Sequence, residues 1–562
     1  MKILNVLARS LWARVSAAHA RAGGAGKPWW PRSRRPSAPP PAQPAQGRPP
    51  REQGGESASA EPFPCDPSFP QLGVATDLEL MREVFQRHLK PLDGKAYHIR
   101  ECRILGIRRQ PALRRFMLQY ILRLVDPRTG CERDQWVTGV MYSGWRTQWM
   151  LEMLKYILRL VDPRTGCKRD QWVTGMMYSG WRTRWMLEKL RFQRVWERLR
   201  RSGPGRESAA EASSTFAPAY YVPELEMLVQ MFPYDHRLPA LPLLMVGPPP
   251  ELEPLLLSRF GPGDWQAEAW EAEPVRYRAD LRATLRLTVR ARDTATGRAA
   301  EKRFYVKVYD DEKAGEQAQE ALRELWSRAE AGDAGFTVGR PVAYLSSLRV
   351  LVQEEVVGTS LKDMLLRGDD VTPAVRKVAR TLAALHLSSQ VTPRRRPLRR
   401  EVAIIERAGK LLRWACPHLG PEIEEIVGAV VAGLGEVSPA PTHGDLKLEH
   451  VVLDGDRLAL LDLDEFAGAD PMLDIAQLLA SIVNVPLSFP LPQDRAWAAA
   501  QVFAEEYFGH VPEAWRERLP LHYAMAVFRM AASFFRHQTP GWHDKIEPLV
   551  EEAKGSLAGR VW

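Results

Sequence analysis

The chain has 562 residues and a 45% hydrophobic composition, enough for two to four domains with sizeable cores. Its formal charge of +10 sits mostly at one end: residues 1–60 carry ten Lys/Arg against two Glu, and the remainder is nearly neutral. A nearly neutral body argues against a nucleic-acid partner, and no apolar run approaches the roughly 18 residues that a membrane span needs.

In chain order, residues 1–64 read as a disordered, basic, Pro/Arg-rich tail, because a segment so poor in aliphatic residues cannot offset chain entropy by burial. Its first twenty residues have the pattern of a short basic amphipathic helix, but Arg9 and Arg14 interrupt it and leave no clean secretory core. The five cysteines, Cys65, Cys102, Cys131, Cys167 and Cys416, show no metal-ligand spacing, and a reduced, cytoplasmic protein is the expectation.

Residues 75–250 form a β-rich unit that contains a tandem duplication. Segment 119–154 is followed at once by 155–190, with 31 of 36 positions identical. Each copy reads as strand, Asp-Pro-Arg-Thr-Gly turn, strand and helix. A fainter repeat is more informative. Segment 108–142 parallels 275–309, and 218–232 parallels 341–355, so a second unit of the same plan is expected over 265–355. The second unit carries Lys307 in mid-strand, whereas the first has Val140, or Met176 in the duplicate, near that place. Beyond residue 356 the apolar spacing turns helical and stays so to residue 562.

The stretch THGDLKLEH, Thr442 to His450, precedes a β-type run, an Asp454-Gly455 turn signal and a returning strand that ends at Asp462-Leu463-Asp464. That hairpin brings Asp445 and His450 close to Asp462. One carboxylate is placed to bind an attacking hydroxyl, and the other to hold Mg²⁺ on nucleotide phosphates. Asp470, before Pro471 and an apolar-periodic run, reads as a helix N-cap, and Asp474 as a brace for the loop. Lys307 lies in an alternating strand, followed by a helix that offers Glu316, Glu320 or Glu324 as its ion-pair partner, Glu320 first.

HGDLKLEHVVLDGDRLALLDLDEFAGADPMLDIAQLLA resembles the active-site half of the aminoglycoside phosphotransferase and choline kinase superfamily, over about residues 270–540. The resemblance implies an α+β, protein-kinase-like two-lobe fold, with an antiparallel β N-lobe and a helical C-lobe, preceded here by a second, degenerate N-lobe-like unit. It implies an ATP- and Mg²⁺-dependent kinase acting on a hydroxyl of a small molecule. Asp445 and Lys447 would be catalytic. Lys307, Glu320, Gln353, Glu354, Glu355 and Val356 would bind nucleotide, and Asp462, Asp464 and His450 would bind metal. His443, Asp470 and Asp474 would give structural support. His450 stands where the family carries Asn, and imidazole is a poor ligand for Mg²⁺. With the lysine-free extra unit, that substitution keeps an alternative open: a nucleotide-binding pseudokinase serving as scaffold or regulator.

Overall fold

The computed structural model describes residues 63–91, 96–111, 114–143, 216, 219–332, 335–388, 392 and 394–560. The second copy of the duplication, the helix expected after the first copy and the basic amphipathic segment lie outside these residues.

After a helix α1 (Leu78–His88), capped by the Asp77 side chain on the amides of Glu79 and Leu80, five strands form an antiparallel sheet. They are β1 (His98–Gln110), β2 (Arg115–Val125), β3 (Glu132–Tyr142), β4 (Ala219–Val222) and β5 (Met227–Met231), in the order β1-β2-β3-β5-β4. A second sheet follows from β6 (Trp265–Arg278), β7 (Arg282–Asp293), β8 (Ala299–Tyr309), β9 (Pro341–Leu345) and β10 (Val350–Glu354), in the order β6-β7-β8-β10-β9. The faint sequence repeat is thus a repeat of topology. It is also one of register: Val140 pairs with Met117 and Leu228, as Lys307 pairs with Thr284 and Leu351.

β7 and β8 alternate as half-buried strands should. Leu285, Leu287 and Val289 of β7 and Phe304, Val306 and Val308 of β8 fill one face. That face packs against Met117, Val140 and Phe232 of the first unit, so the two sheets share a core. β2 differs: its run Arg115–Val125 is buried almost throughout, because it is covered on both faces.

The helical part contains α2 (Glu312–Glu330), α3 (Thr372–Leu387), α4 (Leu398–Ala415) and α5 (Gly420–Gly433). After the short strands β11 (Ala440–Thr442), β12 (Val451–Asp454), β13 (Arg457–Leu460) and β14 (Ala467–Ala469) come α6 (Met472–Val483), α7 (Gln493–Phe508), α8 (Leu519–Arg536) and α9 (Trp542–Leu557). α6 is buried on nearly every side, as expected of a helix apolar all round. No helix among the described residues is long and apolar enough to cross a membrane. The architecture is the expected α+β two-lobe, protein-kinase-like fold with an additional sheet upstream.

The tail expectation needs one correction. Phe63, the first described residue, lies inside the segment read as disordered. Its ring meets Trp414 of α4 and Phe535 of α8 at 5.6 and 5.7 Å, and Cys65 accepts a hydrogen bond from the Trp414 indole at 3.2 Å. One aromatic side chain with two aromatic partners gives this end of the tail the apolar burial that the rest of its composition lacks.

Candidate active site

The hairpin β12–β13 sets the site. Asp454 pairs with Arg457 across a two-residue turn in which Gly455 has φ +55°, a backbone conformation that glycine adopts without steric cost. The loop before it and the turn after it then face each other. The ligand atoms of Asp445, His450 and Asp462 all lie within 4.8 Å of one another.

The loop is held from beneath. Buried Asp474, in the first turn of α6, accepts the amides of His443 at 2.6 Å and Gly444 at 2.7 Å, with His386 Nε2 of α3 at 3.2 Å. Gln477, one turn on, accepts the Leu446 amide at 2.9 Å. Gly444 has φ +82°, and a Cβ there would meet the Glu465 carbonyl oxygen at 2.5 Å, so only glycine lets the two segments approach.

The histidine tautomers follow from their partners. His443 Nε2 lies 2.7 Å from the Leu461 carbonyl oxygen, which only accepts, so Nε2 carries the proton. His450 Nδ1 lies 2.8 Å from the Asp445 carbonyl oxygen and is a donor by the same logic. Its Nε2 lone pair then faces Asp462, 3.8 Å from Oδ2. Burial, with His443 beside it, pushes His450 down to about 4, so the ring is neutral at pH 7.

Burial alone would raise both aspartates. The Lys447 ammonium, 2.8 Å from Asp445 Oδ2, outweighs it and holds the Asp445 carboxyl well below the usual range. Lys307 and Arg282 do the same for Asp462. Asp462 itself sits at φ +59°, a strained position for a side-chain-bearing residue that Asp tolerates better than most.

Lys307 does not pair with Glu320. Its ammonium lies 2.6 Å from Asp462 Oδ1 and 2.7 Å from Asp464 Oδ1, while Glu320 is exposed. Two sheltered carboxylates on one turn outcompete a solvated glutamate whose charge water screens. The same contacts change the reading of Asp464. Lys307, Tyr309 at 3.0 Å and Arg282 at 2.5 Å take its oxygens, so Asp464 stands outside the Asp445–His450–Asp462 cluster. Asp470 lies one residue before the N-cap, Pro471, where it accepts the Met472 amide at 3.0 Å, and it pairs with Arg518 at 2.8 Å and His522 at 3.2 Å.

In the segment expected at the adenine, the amides of Glu354 and Glu355 are committed to the carbonyls of Arg340 and Arg303. The Glu354 carboxylate accepts Arg259 at 2.6 Å, and the Gln353 side-chain amide lies against Gly339. Of Glu354, Glu355 and Val356, only Val356 has an amide that makes no hydrogen bond among the described residues.

The turn between β6 and β7 has no glycine. Asp280, at φ +61°, takes the left-handed position. The first unit clamps this turn. Asp235 accepts the Asp280 amide at 2.8 Å and the Tyr277 hydroxyl at 2.9 Å, and Arg108 donates to the Ala279 carbonyl at 2.6 Å.

Sequence reasoning missed Arg282, Tyr309, Gln477 and His386. Tyr309 had a signal, since it follows Lys307 by two and shares its strand face. Gln477 had one too, lying three residues after Asp474 on α6. Arg282 and His386 reach the site from β7 and α3, and no local spacing announces them.

Residues 265–521 match the family model described as "Phosphotransferase enzyme family". No curated protein matches the sequence. Similar solved structures include a choline/ethanolamine kinase family protein from Mesorhizobium loti (16% identity, 54% of this chain and 90% of that one, TM-score 0.35). A choline kinase, LicA, from Streptococcus pneumoniae is similar at 16% identity (55% and 96% covered, TM-score 0.36). An aminoglycoside phosphotransferase in complex with GDP and kanamycin is similar at 12% identity (55% and 100% covered, TM-score 0.36).

Proposed function

With residues 265–521 a phosphotransferase-family segment, we propose that the chain transfers the γ-phosphate of ATP to a hydroxyl of a small molecule. The observation that carries this reading is the convergence of Asp445, His450 and Asp462 within 4.8 Å, with Lys307 2.6 Å from Asp462.

Asp445 is ionised and shielded, so it can accept a hydrogen bond from the acceptor hydroxyl and take its proton as the oxygen bonds to phosphorus. The β–γ bridging bond breaks in the same displacement, and ADP leaves with that electron pair. Lys447, 2.8 Å from Asp445, would supply an ammonium to the moving phosphoryl group. Lys307, shared between Asp462 and Asp464, is the cation available to the remaining phosphates. Arg282 adds a second charge from the turn strand.

The donor set fits a divalent cation: Asp462 and Asp445 supply carboxylate oxygens, and neutral His450 turns a lone pair toward the same space. Such a cation, when bound, supplies charge neutralisation on the nucleotide phosphates.

The test is transfer of label from γ-labelled ATP with Asp445→Asn as control. Asp445→Asn is expected to bind Mg-ATP and turn over at least a hundredfold more slowly. Wild-type protein that binds ATP yet shows no Asp445-dependent turnover with any acceptor would leave only the pseudokinase reading.

A further inference from the structure

The geometry points to an anionic acceptor: a hydroxylated small molecule with a phosphate or carboxylate end, whose charged end enters a cationic cavity between β1, the β6–β7 turn and the end of α8. This inference rests on the phosphotransfer reading above and names its substrate class.

The cavity has a volume of about 200 Å³ and lies where β1, the β6–β7 turn and the end of α8 meet. Arg108, Arg276, Arg278, Arg536 and His537 line it, with Trp136 adding an apolar wall. Ligand pockets for whole drug-sized molecules run to about 300–1,000 Å³, so this one suits the charged end of a metabolite.

Arg108 lies 3.8 Å from Asp280, but the other three arginines are not there to neutralise acids. Asp280 is bound by Arg115 at 2.7 Å, Glu465 by Arg400 at 2.5 Å and Glu401 by Arg396. Among the described residues, Arg276, Arg278 and Arg536 make no ion pair and donate no side-chain hydrogen bond. Arg278 is pushed down to about 10 by its burial and then by Arg282, Arg276, Arg536 and Arg108, the mark of guanidinium groups crowded together. Such crowding is unfavourable until an anion enters. Compensation of the α8 dipole accounts for Arg536 in its last turn, but not for arginines from β1 and β6 in the same cavity.

The positive charge continues to the base. Arg529 lies two helical turns before Arg536 on the same face of α8, about 10 Å away along the axis. Its Nη1 is buried with no hydrogen-bond partner, and its charge is felt at Asp445. Arg396 donates to the Gly444 carbonyl at 3.1 Å. A molecule with its oxyanion at Arg278 and Arg536 and its hydroxyl at Asp445 would span this stretch. Guanidinium forks suit phosphate and carboxylate, and the same field repels choline and kanamycin, both cations. The first unit supplies Arg108 and Trp136, which gives the lysine-free sheet a part in choosing the acceptor.

The test uses full-length protein with Mg-ADP bound, titrated calorimetrically with glycerol 2-phosphate, glycerate, glycerol and choline, alongside label transfer from γ-labelled ATP to anionic, neutral and cationic alcohols. The expected result is binding of one or both anions and of neither control; the anion that binds identifies its charged group. Arg278→Ala, Arg536→Ala and the exposed Arg276→Glu should each weaken it at least tenfold with ATP affinity unchanged, and Arg290→Ala, remote and surface-bound, should not. Anions that fail to bind, or bind equally to all three variants, overturn the inference, as does label transfer to a cationic or neutral alcohol that ignores those substitutions. Transfer to such an alcohol without anion binding leaves the phosphotransfer reading standing. Arginine-dependent anion binding with no acceptor ever labelled sinks that reading instead, and the anion site remains.

Discussion

His450 donates its Nδ1 proton to the main-chain carbonyl of Asp445 at 2.8 Å and turns its Nε2 lone pair toward Asp462, 3.8 Å away. The residue that stands where the resembled family carries asparagine thus still ties the loop back to Asp445. What it offers a cation is nitrogen instead of oxygen.

Metal preference follows from that exchange. His450→Asn is expected to keep or improve Mg²⁺-dependent ATP affinity, because an amide oxygen suits Mg²⁺ better than imidazole. Wild-type protein should show a larger advantage of Mn²⁺ over Mg²⁺ than the variant does. Asp462→Asn should abolish metal-dependent binding. Calorimetry with each ion checks all three, and His450→Asn losing affinity as completely as Asp462→Asn would make the imidazole an indispensable ligand.

The depressed His450 also predicts acid sensitivity. An unfolded histidine titrates near 6.5, whereas His450 in the folded chain titrates at about 4. Between those values the unfolded state binds the extra proton, so this contribution is fully present above pH about 6.5 and is lost as pH falls through about 4. Its size is a few kcal/mol at most, at about 1.4 kcal/mol per unit. Denaturant midpoints measured from pH 7 to 4.5 should fall less steeply in His450→Asn than in wild type.

Lys307 and Val140 occupy the same place in two sheets of one plan, and exchanging their chemistry should fail in both directions. Lys307→Met leaves Asp462 and Asp464 with the Arg282 guanidinium and, for Asp464, the Tyr309 hydroxyl, at a cost of about 3–5 kcal/mol, and should abolish nucleotide affinity. Val140→Lys forces an unpaired ammonium between the sheets, where Val140 is 4% exposed, and should cost several kcal/mol with no gain of nucleotide binding. Denaturant unfolding and ATP titration separate the two effects.

Asp474→Ala removes the acceptor of two loop amides and of His386 in one step. Buried donors left unsatisfied cost about 1–3 kcal/mol each. Stability should fall by at least about 3 kcal/mol, and the amides of His443 and Gly444 should lose hydrogen-exchange protection before the rest of the helical part does. Uniform loss of protection would instead assign Asp474 to the global core.

What the sequence determined by itself is whatever neighbours along the chain decide. Strand alternation, the turn at Asp454-Gly455, the interval from His443 to Asp474 and the doubled sheet plan all rest on short-range spacing. The register match of Val140 with Lys307 shows how faithfully that spacing survives folding. Tertiary structure alone decided which charges meet. Glu320 and Asp464 are equally acidic in a sequence, but only the turn after β13 closes onto β8, so Lys307 pairs with the sheltered acid. The same holds for the cavity: Arg108, Arg276, Arg278 and Arg536 come from β1, β6 and α8, and the field they make together exists only once those elements converge. Coulomb energy depends on distance and dielectric, and neither is written in the order of residues.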